Sequence, residues 1–256
     1  QTAVGTRHTD HQSLTRHATR LLSHMLTIVL HKWRAPGYHT VFDGSHVNTM
    51  ARMIARYYRK PHRIILYTDD ASGVDSSITC RPLPTLYGHL PNPIRDTLPS
   101  CYRRLWLFRR DVASEVGERI LSIDLDAVIV QDVTALWDRP EDFVIWRDPS
   151  PRQPYNGGMY LLTAGARPDV WERFEPDRSP AMTTLAGFRG SDQAWIAYAT
   201  GPHEAVWTQA DGVWSYSSHM VRKYQTYLCG RERIVMFHGR INPWDFPAPW
   251  VRQHYR

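Results

Sequence analysis

Residues 119–129 read RILSIDLDAVI, an apolar β-type run broken by two aspartates one residue apart. A carboxylate enters a protein interior only when it is paired or holds a metal. RILSI is therefore a buried strand only if Asp124 and Asp126 stand where it runs out. Similar short runs recur: LTIVL at 26–30, RIILYTDD at 63–70, FVIW at 143–146, GMYLL at 158–162 and RIVMF at 233–237. Helical patterns lie between them, and strands alternating with helices predict an α/β layered sheet, at least partly parallel.

The first helix is predicted to start at Ser45 as N-cap, with Val47, Met50, Ala51, Ile54 and Tyr57 on one apolar face. Arg52, Arg56, Arg59 and Lys60 fall mostly on its solvated side and at its C-terminal end. Further helices are expected over roughly 101–110, 168–175 and 191–199. Residues 72–100, rich in Pro, Ser and Gly, read as a long irregular connection, and NPWDFPAPW at 242–250 as a C-terminal arm on the surface. Residues 1–24 read as a polar, basic leader, loose or with a short helix over 12–24.

Residues 1–60 carry nine Lys or Arg against two Asp or Glu, whereas the remainder carries 22 against 23. That basic N-terminal part suits nucleic acid, a membrane surface or an anionic small molecule, or simply a solvated tail and helix face. No apolar run is long enough to span a membrane. Three widely spaced cysteines with no CxxC pair argue against a disulfide framework or zinc knuckle and fit a cytoplasmic setting.

In open α/β sheets ligands gather at the carboxyl ends of strands. Asp69-Asp70, Asp124-Leu125-Asp126 and His238 each follow a strand, so two carboxylates and an imidazole could meet at one point. Such a set suits Mn²⁺ or Mg²⁺ bridging a diphosphate. The plainer reading of D-x-D is a strand-end turn with Asp capping backbone amides. His238 also reads as a core histidine, Asn156-Gly157 as a turn, and Asp192 after Ser191 as an acid at a capped helix start. Trp195 and Tyr198 read as core, and Trp33, Trp207 and Trp214 as filling or as stacking platforms.

SIDLDAVIV, YNGGMYLLTAG, GSDQAWI and MFHGRINPW, in that order, resemble the GT-A fold glycosyltransferases, in particular the group with glycogenin and the bacterial lipopolysaccharide galactosyl- and glucosyltransferases. The resemblance spans about residues 26–245. It implies a single GT-A (Rossmann-like) α/β domain over 25–256, with a mixed, mostly parallel sheet flanked by helices. Asp124 and Asp126 match the D-x-D pair and His238 the third metal ligand; Leu125 lies between the acids at the donor. Asn156, Gly157 and Gly158 match the N-[SG]-G turn on the sugar and acceptor side. Asp192 and Gln193 match the D-Q pair at the reacting face, which with Asn156 makes the catalytic set. Arg104 aligns with a basic donor contact. Gly239 and Arg240 fall near the diphosphate-binding motif H-x-x-G-x-x-K-P-W, although here the spacing is H-G-R-I-N-P-W. His31 and Trp33, with Asp69 and Asp70, lie where such enzymes hold base and ribose.

The implied activity is metal-dependent transfer from a nucleoside diphosphate sugar, such as a UDP-sugar, to a hydroxyl acceptor with retention of configuration. The acceptor classes left open are a glycan, a lipid-linked sugar, a protein side chain or a modified DNA base. An inverting enzyme would need a carboxylate base, for which Asp148 and Asp211 are the candidates. Two other readings are a nucleotidyltransferase, against which HKWRAPGYHT lacks a glycine-rich phosphate loop, and a basic nucleic-acid-binding module on a decayed transferase fold.

Overall fold

The computed structural model describes residues 25–220, 227–246 and 248–256. The leader expected over 1–24, with its helix at 12–24, lies outside the described residues. The strands are β1 (Leu26–Lys32), β2 (His62–Thr68), β3 (Thr79–Pro82), β4 (Arg119–Ile123), β5 (Ala127–Ile129), β6 (Phe143–Arg147), β7 (Tyr155–Thr163), β8 (Ala205–Trp207), β9 (Val213–Ser215) and β10 (Ile234–Met236). The α-helices are α1 (Gly44–Tyr57), α2 (Ala113–Val116), α3 (Thr134–Trp137), α4 (Asp169–Glu172), α5 (Ser179–Leu185), α6 (Asp192–Thr200) and α7 (Pro249–His254).

Seven strands form the main sheet in the order β3-β2-β1-β4-β7-β6-β8. Only β7 runs against the others, pairing antiparallel with β4 and β6. Successive residues of β1 serve opposite faces. Leu26, Ile28 and Leu30 pack with Val47, Met50 and Ile54 of α1, while Val29 packs with Leu105, Phe108 and Trp195. Burial on both faces explains why these parallel strands read as near-continuous apolar runs.

The acidic pair has a topological cause. β4 leaves the main sheet after Ile123, its last partner of β7. The chain re-enters order at Ala127 as β5, in a small second sheet ordered β5-β10-β9. Asp124 and Asp126 occupy the crossing between the sheets, and Leu125, 2% exposed, keys the crossing into the core. The strand RILSI thus stops at Ile123, because the chain changes sheets there.

Helix α1 is capped by Asp43, not Ser45. The Asp43 carboxylate accepts from Ser45 N at 2.9 Å, and its own amide donates to His46 Nδ1 at 3.0 Å, a reciprocal cap worth about 1 kcal/mol. The expected face holds: Val47, Met50 and Ile54 are buried, and Arg52, Arg56, Arg59 and Lys60 are exposed. The helix expected at 101–110 is a 3₁₀ segment, Tyr102–Phe108. The irregular span 72–100 contains the edge strand β3. The C-terminal arm is buried rather than superficial, since Ala248, Trp250 and Val251 belong to the core. Among the described residues no helix is long and apolar enough to cross a membrane.

Candidate active site

Because β7 alone is reversed, its amino end meets the carboxyl ends of β1, β4 and β6 at one sheet edge. A cavity of about 480 Å³ opens there. His31 and Trp33 line it from the end of β1, Asp124 and Asp126 from the sheet crossing, and Asn156 and Gly158 from β7. Asp192 and Gln193 enter from the start of α6, Arg104 from the 3₁₀ segment, and His238 and Gly239 from beyond β10.

A pairing irregularity shapes the β7 wall. Ile145 pairs with Tyr160, but Trp146 pairs with Asn156, so residues 157–159 bulge free of β6. Bulges of this kind re-aim a strand beside a site. A Cβ on Gly157 would stand 3.1 Å from Arg104 Nη2 and 3.2 Å from Asp192 Oδ2; on Gly158 it would stand 3.2 Å from Asp124 Oδ2. Glycine therefore lets three charged groups close on the strand.

Those groups form a buried network. Arg104 Nε donates to Asp192 Oδ2 at 2.8 Å, and its Nη1 donates to Asp124 Oδ1 at 2.5 Å. The Arg104 and Asp192 side chains are only 6% and 4% exposed, that of Asp124 39%. Burial opposes the Arg104 charge, but Asp192 and then Asp124 hold its pKa well above the usual value. Burial raises the Asp192 carboxyl and Arg104 partly offsets that. Asp126 is different. Burial, then the Asp124 charge, pushes its pKa well up.

Asn156 is oriented from both sides: its Nδ2 donates to Asp148 Oδ2 and its Oδ1 accepts from Gly158 N, each at 2.9 Å. Gln193 Oε1 accepts from Gly157 N at 3.3 Å. Ser191 does not cap α6; its Oγ accepts from Cys101 N at 2.9 Å, which ties α6 to the 3₁₀ segment. Arg103 lies over the Trp33 ring at 5.2 Å. His31 Nε2 is buried without a partner among the described residues, and burial lowers that ring's pKa.

Several expected residues stand elsewhere. Asp69 and Asp70 do not line the cavity; they follow β2, one strand further from β4, and are exposed. Asp69 accepts from Arg34 N at 3.0 Å, tying the end of β2 to the segment after β1, and Asp70 accepts from Ser72 N at 2.8 Å as a turn acid. Arg240 is exposed and also outside the cavity, whose wall holds Arg104 instead. The chain turns at Gly239 (φ 109°), one residue after His238, and carries Arg240 away. Asp211 caps its own turn at Thr208 N, whereas Asp148 lines the cavity. Trp207 and Trp214 are core; Trp195 is core as expected, and Tyr198, only partly buried, stacks on it at 5.6 Å.

Asp124, Asp126 and His238 share the cavity wall but do not form a compact ligand set; among the described residues no three His, Cys, Asp or Glu groups do. The reason lies in their present partners. Asp124 is engaged by Arg104, and His238 Nε2 sits 2.7 Å from Ser215 Oγ and 3.3 Å from Ser217 Oγ. Their chemistry nonetheless fits a divalent cation. Among the described residues Asp126 has no cationic partner, and burial lowers the His238 pKa, which leaves a neutral imidazole of the kind that ligates metal.

Sequence reasoning missed Tyr38, Asn92, Gln153 and Arg189, which complete the wall from irregular connections. The available signal was position: long connections that leave strands at the ligand-bearing edge.

The architecture is the GT-A fold. No protein-family model matches the chain, and no curated protein matches it. Solved structures do. The galactosyltransferase LgtC in complex with donor and acceptor sugar analogues matches at TM-score 0.58 and 12% identity, over 89% of this chain and 93% of that one. An active-site mutant of LgtC matches at TM-score 0.56 and 12% identity, over 87% and 91%. The glycosyltransferase GlyE of Streptococcus pneumoniae TIGR4 matches at TM-score 0.55 and 13% identity, over 85% of this chain and 56% of that one. At such identities the likeness establishes a common fold.

Proposed function

We propose that the chain is a glycosyltransferase that moves a sugar from a nucleoside diphosphate sugar, a UDP-sugar in the first instance, to a hydroxyl acceptor with retention of configuration. The observation that carries this reading is Asp126, a half-buried acid with no cationic partner among the described residues, beside Asp124 in a cavity at the ligand-bearing edge of a GT-A fold.

Asp124, Asp126 and His238 would hold Mn²⁺ or Mg²⁺, which when bound supplies positive charge against the departing diphosphate. Arg104 fixes Asp192 at the reacting face and partly offsets the burial that raises its carboxyl. A carboxylate pinned by a guanidinium is better suited to orienting a sugar than to covalent attack, so same-face attack assisted by the leaving phosphate is the favoured course. Gln193, braced by Gly157 N, and Asn156, braced by Asp148, present amides to the donor sugar. Trp33 under Arg103 and the half-buried His31 offer ring surfaces for the base. The free cysteines Cys80, Cys101 and Cys229 agree with work in the cytoplasm.

The test is a panel of nucleotide sugars incubated with the chain and Mn²⁺, followed for nucleoside diphosphate release. Release from one donor, lost on chelation, supports the reading. Pyrophosphate released from a nucleoside triphosphate replaces it with a nucleotidyltransferase. No release from any donor, with nucleic acid bound, replaces it with a binding module.

A further inference from the structure

Beside the active-site cavity lies a second, of about 510 Å³. The two share Asp148, Ser150 and Gln153 as a common wall. The outer wall is the proline-rich turn 149–154, with Phe188 and Pro202 facing it. A ligand in this annex reaches the first cavity past Gln153 and Asp148, on the side where Asn156 is held.

Two observations point to what it takes. The Gln153 side chain is almost wholly buried (the residue is 6% exposed), yet its Oε1 has no partner among the described residues. Its Nε2 is committed to the Arg189 carbonyl, so the side-chain carbonyl oxygen, at the wall between the two cavities, is left without a donor among the described residues. The second observation is charge. Arg147 and Arg152 line the annex and Arg189 borders the first cavity. All three are exposed. Exposed arginines elsewhere, such as Arg110 and Arg178, have carboxylate partners; among the described residues Arg147, Arg152 and Arg189 have none. The one acid of the annex wall, Asp148, already accepts from Ser150 N and Asn156 Nδ2.

We propose that the annex is the acceptor subsite and takes an anionic saccharide. Arg147 and Arg152 hold its phosphate or carboxylate group, and Gln153 Oε1 accepts from one of its hydroxyls. This rests on the transferase reading of the neighbouring cavity. Guanidinium forks match both anions in geometry, and a wall stiffened by prolines loses little freedom on binding. A concave site of this volume suits a short saccharide segment.

Calorimetry on the full chain tests it, with trigalacturonate against its uncharged methyl ester, mannose 6-phosphate against mannose, and inorganic phosphate alone. The charged member of at least one pair should bind about tenfold or more tightly than its neutral twin, a gap of about 1.4 kcal/mol. Which pair responds separates carboxylate from phosphate. R147A/R152A should erase the gap while melting normally and leaving nucleotide-sugar hydrolysis unchanged. Gln153→Leu should weaken charged and neutral sugars alike. Equal binding of charged and neutral sugars, no binding of either, an unaffected arginine variant, or inorganic phosphate binding as tightly as the sugars would each overturn the subsite. Saccharide binding without turnover of any nucleotide sugar would instead remove the transferase reading and leave the saccharide site standing.

Discussion

Arg104 and Asp192 meet through two guanidinium nitrogens, Nε at 2.8 Å and Nη2 at 2.7 Å, with both side chains almost fully withdrawn from solvent. Such a pair adds little net stability, because desolvation opposes the attraction, but breaking it strands a buried charge. Arg104→Ala should therefore destabilise the fold by about 3–5 kcal/mol and abolish transfer. Arg104→Lys, which cannot fork between two acids, should retain more stability but little activity. Denaturant unfolding and kcat/KM, read together, check both.

Asp126 predicts the opposite combination. Its folded pKa lies well above that of a free carboxyl, so the native state binds the extra proton. Stability of the metal-free chain should then fall as pH rises from about 4 through the folded pKa. Asp126→Asn removes that penalty. It should melt higher than the wild type at neutral pH without metal, by roughly 2–4 °C per kcal/mol relieved in a chain of this size, while losing metal-dependent turnover. Melting curves at several pH values check the sign.

Gly157 tests the crowding on β7. A methyl group there meets Arg104 and Asp192 at 3.1–3.3 Å. Gly157→Ala should cost about 1–3 kcal/mol and lower kcat more than it raises KM, because it displaces the groups at the reacting face. Steady-state kinetics at saturating donor check this.

Arg240 is the negative control. It stands outside the cavity, so Arg240→Ala should keep donor KM near the wild-type value, whereas Arg104→Lys should not.

These contrasts also mark what could be read from the sequence. An aspartate pair cannot sit inside a sheet, so Asp124 and Asp126 announced a strand end, and the cavity lies at that end. What stayed hidden was the cause, a three-residue strand, β5, too short for any periodicity to reveal. The same shortness concealed β8 and β9. The cap on α1 was misplaced by two residues because its partner is His46, where a reciprocal cap is normally signalled by Glu or Gln. Asp69 and Asp70 follow a strand just as Asp124 does, and only strand order, which pairing across the sheet decides, sets them apart. Gln153 lies in a proline-rich turn whose path depends on residues near 188–190.

Calorimetric titration of UDP into the wild-type chain and into Asp126→Asn, each with Mn²⁺ and with chelator, addresses the core of the proposal. Tight binding by the wild type with Mn²⁺, weakened about a hundredfold by chelator or by Asp126→Asn, a loss of about 2.7 kcal/mol, is the predicted result. UDP affinity that is the same with Mn²⁺ and with chelator in the wild type would contradict it.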